Sequence, residues 1–75
     1  MPHVELKCFP GRSEEQKQKC AEAITKAITE NMGCDASSVS IAIKEIAKED
    51  WKEKVWDTQI ACDDSLYKKP GYTCD

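Results

Sequence analysis

The chain lacks any apolar run near the roughly 20 residues that a membrane-crossing helix needs, so no membrane partner is expected. It lacks internal repeats, low-complexity stretches and linker-like segments, so its 75 residues are expected to form one domain, 1–75. It lacks an excess of basic charge: 11 Lys and Arg stand against 14 Asp and Glu, with signs interspersed and a net charge of −3. That balance argues against nucleic acid as a partner. Histidine occurs once, at His3. Cysteine is the exception to this sparseness, with five: Cys8, Cys20, Cys34, Cys62 and Cys74. The count is odd, no signal-peptide pattern precedes them, and the spacings match no zinc site, so no metal is expected. Reduced thiols in a cytoplasmic protein are the expectation. A chain this short buries a modest share of its surface and often needs staples or partners.

What is present reads as strand, helix, strand, helix. Val4, Leu6 and Cys8 alternate with His3, Glu5 and Lys7, the pattern of a half-buried strand. Pro10-Gly11 ends it. Ser13-Glu14-Glu15-Gln16 is a capping box that opens a helix running to about Met32. Its apolar stripe is Cys20, Ala23, Ile24, Ala27, Ile28 and Met32. Gly33 fits the left-handed residue just past the helix end. A short polar link leads to a second strand over 39–46, with Val39, Ile41 and Ile43 on one face. Short links between strand, helix and strand imply a right-handed crossover and parallel pairing. Asp50, with Glu53 three residues on, is expected to cap a last helix carrying Trp51, Val55, Trp56 and Ile60, with Leu66 extending the band. Lys68-Lys69-Pro70-Gly71-Tyr72 reads as a turn and short tail.

Pro2 is a candidate for the chemistry, set against the plain reading that proline is simply common at position two. Once Met1 is removed, its nitrogen is a secondary amine held by the ring and the strand behind it. A free α-amine titrates nearer neutrality than any lysine. An apolar site or a nearby cation lowers its pKa further, which gives a general base poised near working pH.

Met1-Pro2 opening a strand, Pro10-Gly11-Arg12-Ser13-Glu14-Glu15-Gln16-Lys17 opening a helix, the 39–46 strand and an aromatic at Trp51 together resemble the 4-oxalocrotonate tautomerase family. The last third, from Trp56-Asp57 to Tyr72, is similar to its PptA-type, phenylpyruvate tautomerase-like branch. The resemblance implies an α/β (α+β) fold: a β-α-β unit with an extra C-terminal helix, dimerising into one four-stranded sheet. It implies keto–enol isomerisation of 2-oxo acids without metal or organic cofactor. Pro2 matches the family's base, Arg12 its carboxylate-binding arginine, and Trp51 its pocket aromatic. Typical members carry another arginine early in the second strand, where this chain has Ser40. That departure favours a monocarboxylate of phenylpyruvate type and leaves Ser40 as a hydrogen-bond donor at that place.

Strand alternation aims His3 away from Val4, and a role for it as a second acid or base ranks low. A homodimer is expected over a homohexamer, because His3, Glu5, Lys7, Ser40 and Lys44 crowd the face opposite the helix, and burying them is costly unless they are paired. The competing readings are a related hydratase or dehalogenase, for which no matching acidic residue is evident, and a non-catalytic oligomeric module in which Pro2 is idle.

Overall fold

The computed structural model describes residues 1–74, which fall into two compact units, Met1–Glu45 and a second beginning at Ile46. The first unit contains strand β1 (His3–Cys8), helix α1 (Glu14–Met32) and strand β2 (Ser40–Glu45). The strands pair in parallel, with His3 opposite Ser40 and each later residue in step to Cys8 opposite Glu45. Val4 and Leu6 therefore lie beside Ile41 and Ile43 on the face toward α1, as the alternation requires.

Helix α1 begins and ends where its local chemistry dictates. The Gln16 N–H donates to Ser13 Oγ at 3.1 Å, and the Ser13 N–H donates to Gln16 Oε1 at 2.9 Å. Glu14 and Glu15 place negative charge at the positive end of the helix dipole. Gly33 closes the helix at φ 70° and ψ 43°, a conformation that a Cβ disfavours.

The helix buries a different stripe from the one the periodicity suggests. Lys17, Ala21, Ile24, Thr25, Ile28 and Thr29 are half-buried, whereas Cys20, Ala23, Ala27 and Met32 are exposed. Two strands are too narrow to cover the whole apolar arc. The threonines join the covered side because their hydroxyls are satisfied within the helix, Thr25 on the Ala21 carbonyl at 2.8 Å and Thr29 on that of Lys26 at 3.0 Å. The second strand is also shorter than 39–46. Residues Ala36–Ser38 form a 3-10 turn whose last bond, Val39 N–H to the Ala36 carbonyl at 3.1 Å, removes Val39 from the ladder. Ile46 belongs to the second unit.

The second unit opens with a 3-10 turn, Lys48–Asp50, and continues through Trp51 into a π-helical segment, Lys52–Ile60. Asp50 is not a cap. The turn starts two residues before it, so its carboxylate lies inside the turn and pairs with Lys54 at 3.6 Å. The five-residue spacing of Trp51 to Trp56 and Val55 to Ile60 suits the wider π turn. Lys52 spans the same interval to reach Asp57 at 3.1 Å. Trp56 meets the Tyr72 ring at 5.3 Å, which ties the tail to this unit.

Val55, at 4 % exposure, is the one buried hydrophobic residue among those described. The first unit thus has half-covered apolar surface throughout. No helix among the described residues is long and apolar enough to cross a membrane.

Gly33→Ala should lower stability by about 1 kcal/mol through the left-handed backbone alone, since nothing lies within 4 Å of a Cβ there. Gly71→Ala, equally open and without a positive φ, should leave it unchanged. Urea denaturation midpoints check both.

Candidate active site

Pro2 is half-buried just ahead of β1, and its carbonyl accepts the Ser40 N–H at 3.2 Å. This bond extends the parallel ladder to the residue whose amine is of interest. Next to it, His3 Nδ1 lies 2.6 Å from Ser40 Oγ. Both side chains stand on the face turned away from α1, as does Glu5. The Glu5 carboxylate reaches Lys44 at 3.1 Å and Lys7 at 3.4 Å. Hydrogen bonds from Lys44 and Lys7 hold its carboxyl below the ordinary 4.5. The charges on this face are thus paired among themselves.

Arg12 sits at the other end of β1. Leu6, Cys8, Arg12, Gln16, Lys17, Cys20 and Ile43 line a cleft of about 250 Å³ between the strand ends and the first turns of α1. Its two cations differ in availability. Lys17 is held by Glu14 at 2.8 Å and Glu45 at 3.6 Å, and the Glu14 contact raises its pKa above the ordinary 10.5. Arg12 donates one Nη1–H to the Phe9 carbonyl at 3.2 Å and has no carboxylate partner among the described residues. A guanidinium carries five N–H donors in a planar fork, so most of Arg12's remain for an anion. An unpaired guanidinium beside an apolar cleft suits a carboxylate with a hydrophobic body.

One chain does not bring Pro2 and Arg12 together. The six residues of β1 lie between them, and at about 3.3 Å rise per residue that is roughly 20 Å, beyond the reach of one small acid. Ser40 and His3 do adjoin Pro2. Trp51 belongs to the second unit, half-buried where the 3-10 turn passes into the π-helical segment. The pairing of Lys17 with Glu45 escapes a sequence reading, because it needs the register that puts Glu45 beside Cys8 at the strand end.

A sequence model of the tautomerase enzyme family matches residues 2–53, which contain Pro2, Arg12, Ser40 and Trp51. The chain belongs to the tautomerase family. As a tautomerase it is an isomerase, and relatives extend the likeness beyond residue 53. Tautomerase PptA of Enterobacter sp. (strain 638) is 47% identical over 75 residues, covering 97% of this chain and 99% of the relative. Among solved structures, the 4-oxalocrotonate tautomerase isozymes from Methylibium petroleiphilum are similar at a TM-score of 0.64 and 34% identity, over 67% of this chain and 81% of theirs. YwhB, a homologue of 4-oxalocrotonate tautomerase, is similar at a TM-score of 0.61 and 34% identity, over 63% and 77% of the two chains. The tautomerase β-α-β fold expected from the sequence is therefore the fold of this chain.

The Glu5 pairing has a pH consequence. Its folded pKa is depressed, so its contribution is present above the ordinary 4.5 and fades as pH falls through the lowered value. Below about pH 4.5 the parent should lose stability more steeply than Glu5→Gln, and salt should shrink the difference. Urea midpoints measured across that range check this.

Proposed function

We propose that this tautomerase interconverts the keto and enol forms of 2-oxo acids of phenylpyruvate type, with Pro2 as the general base, and that its working form is a homodimer. The chain acts in this reading as one tautomerase domain, 1–75. Met1 is fully exposed, which leaves it accessible for removal. Neutral Pro2 then takes the proton from one substrate atom and returns it to another. Arg12 fixes the carboxylate through its paired N–H groups and stabilises charge that builds on the adjacent oxygen. Trp51 supplies apolar wall, and Ser40 a hydrogen bond beside Pro2.

The observation that carries the reading is Arg12, without a carboxylate partner among the described residues, at an apolar cleft one strand length from Pro2. The substrate must contact both residues, so they come from different copies. A second chain running antiparallel alongside β1 sets one copy's Arg12 near the other's Pro2 and gives the open strand edge a partner. Helix α1 supports the same assembly. Gln16, Cys20, Ala23, Ala27 and Asn31 form an exposed face free of charge, flanked by the charged row Glu15, Lys19, Glu22 and Lys26. Small uncharged side chains allow a neighbouring helix to approach closely.

Pro2→Ala should lower kcat by about 10²–10⁴-fold, the usual share of a general base. Arg12→Ala should raise KM for phenylpyruvate. Mixing the two variants, assayed at phenylpyruvate well below the raised KM so that each alone is nearly silent, should restore activity toward about a quarter of the parent's, because half of the dimers are mixed and each mixed dimer has one intact site. No recovery after subunit exchange would place both residues in one copy's site. Light scattering at six times the chain mass would replace the dimer with a hexamer.

With one available guanidinium per site, a dicarboxylate leaves its distal charge against Ser40 or apolar wall, which costs several kcal/mol unless it is paired. Phenylpyruvate should therefore exceed a 2-hydroxymuconate-type dicarboxylate in kcat/KM at neutral pH, and Ser40→Arg should narrow the gap. Steady-state kinetics with both substrates on both proteins check this.

A further inference from the structure

Beside Pro2 is a two-residue device that the proposed mechanism does not use. His3 and Ser40 are the first residues of their strands, directly opposite in register, with Nδ1 and Oγ 2.6 Å apart. The pair is pinned to Pro2 twice, by the chain at His3 and by the Ser40 N–H on the Pro2 carbonyl at 3.2 Å. Both side chains are exposed, so a ligand at Pro2 can meet them. The charged groups on the same face are Glu5 and Lys7 of β1 and Lys44 of β2. Glu5 is occupied by the two lysines at 3.4 Å and 3.1 Å, which leaves Ser40 as the imidazole's partner.

A contact this short holds one hydrogen between the two atoms, and its owner decides what Ser40 offers outward. When Nδ1 is unprotonated, the Ser40 hydroxyl donates to it and turns only lone pairs toward a ligand. When the imidazole is doubly protonated, Nδ1–H donates to Oγ, and the serine hydrogen is released for a ligand oxygen. The imidazolium also adds a positive charge to the rim of the site. Histidine is the side chain whose ordinary titration makes such a change between about pH 5 and 8.

We propose that His3 is a positioning residue whose protonation switches Ser40 from acceptor to donor, so that the site admits 2-oxo acids with a second carboxylate when the imidazole is charged. This rests on Pro2 being the base that the substrate meets. The switch leaves an apolar-tailed acid unaffected, because its distal group takes no hydrogen bond.

The test is the ratio of kcat/KM for a 2-hydroxymuconate-type dicarboxylate to that for phenylpyruvate, measured between about pH 8 and about pH 5.5. Ionisation of Pro2 acts on both substrates and cancels in the ratio. In the parent, the ratio should rise about tenfold as pH falls, the scale of one charge-assisted hydrogen bond. It should stay flat in His3→Phe and in Ser40→Ala. A flat ratio in the parent, or an unchanged rise in both variants, overturns the proposal. A second readout needs no turnover, and absence of turnover would instead count against Pro2 as base. The imidazole resonances of the only histidine are titrated with and without fumarate. The His3 midpoint should move up with fumarate in the parent and stay put in Ser40→Ala. A midpoint unmoved by fumarate in the parent overturns the proposal as well.

Discussion

The parallel pairing of β1 with β2 is the constraint on which the rest depends. Parallel neighbours need a crossover, and α1 is that crossover, held over one face of the pair by its caps at Ser13 and Gly33. Parallel direction also collects like ends. Both strand starts gather Pro2, His3 and Ser40, while both strand ends open onto the cleft with Arg12 and Lys17. In an antiparallel hairpin these groups would mix. Here the candidate base and the available carboxylate partner are sorted to opposite ends of a six-residue strand.

The same small unit is left with much half-covered surface. Two strands and a helix bury little on their own. No residue of Met1–Glu45 is fully buried among those described, and α1 carries an uncharged exposed face beside its covered one. In the proposed dimer a second copy would remedy both the incomplete burial and the incomplete site, and one surface would serve stability and chemistry together.

Much of this was legible in the sequence, and the reasons are local. The capping box, the Gly33 terminus and the alternation of β1 depend on residues within one turn or one strand; the first two stand as expected, and the alternation holds over His3–Leu6 but not at Lys7, which is half-buried. What the sequence hid depends on contacts across elements. The face of α1 that meets the sheet is set by the width of two strands, and apolar periodicity counted Ala23 and Ala27 toward the wrong neighbour. Asp50 looks like a cap only until the turn is seen to start at Lys48. The His3–Ser40 contact and the reach of Glu45 to Lys17 follow from strand register, which no window of sequence contains. Pro2 and Arg12 were readable as residue types, but their separation along β1 emerges only in three dimensions.

The separation also bears on how the base is tuned. At roughly 20 Å, well past the screening length of about 8–10 Å in physiological salt, Arg12 has little hold on the Pro2 amine of its own chain. In the proposed two-copy site a guanidinium comes close to that amine. A nearby cation disfavours the protonated amine, and exclusion of water by the apolar wall acts in the same direction. Assembly would then supply the carboxylate contact and, in the same step, bring the amine toward its neutral, proton-accepting form. An isolated chain would leave both Pro2 and Arg12 without these contacts, so catalysis and association would be coupled through one residue that belongs, in each site, to the other copy.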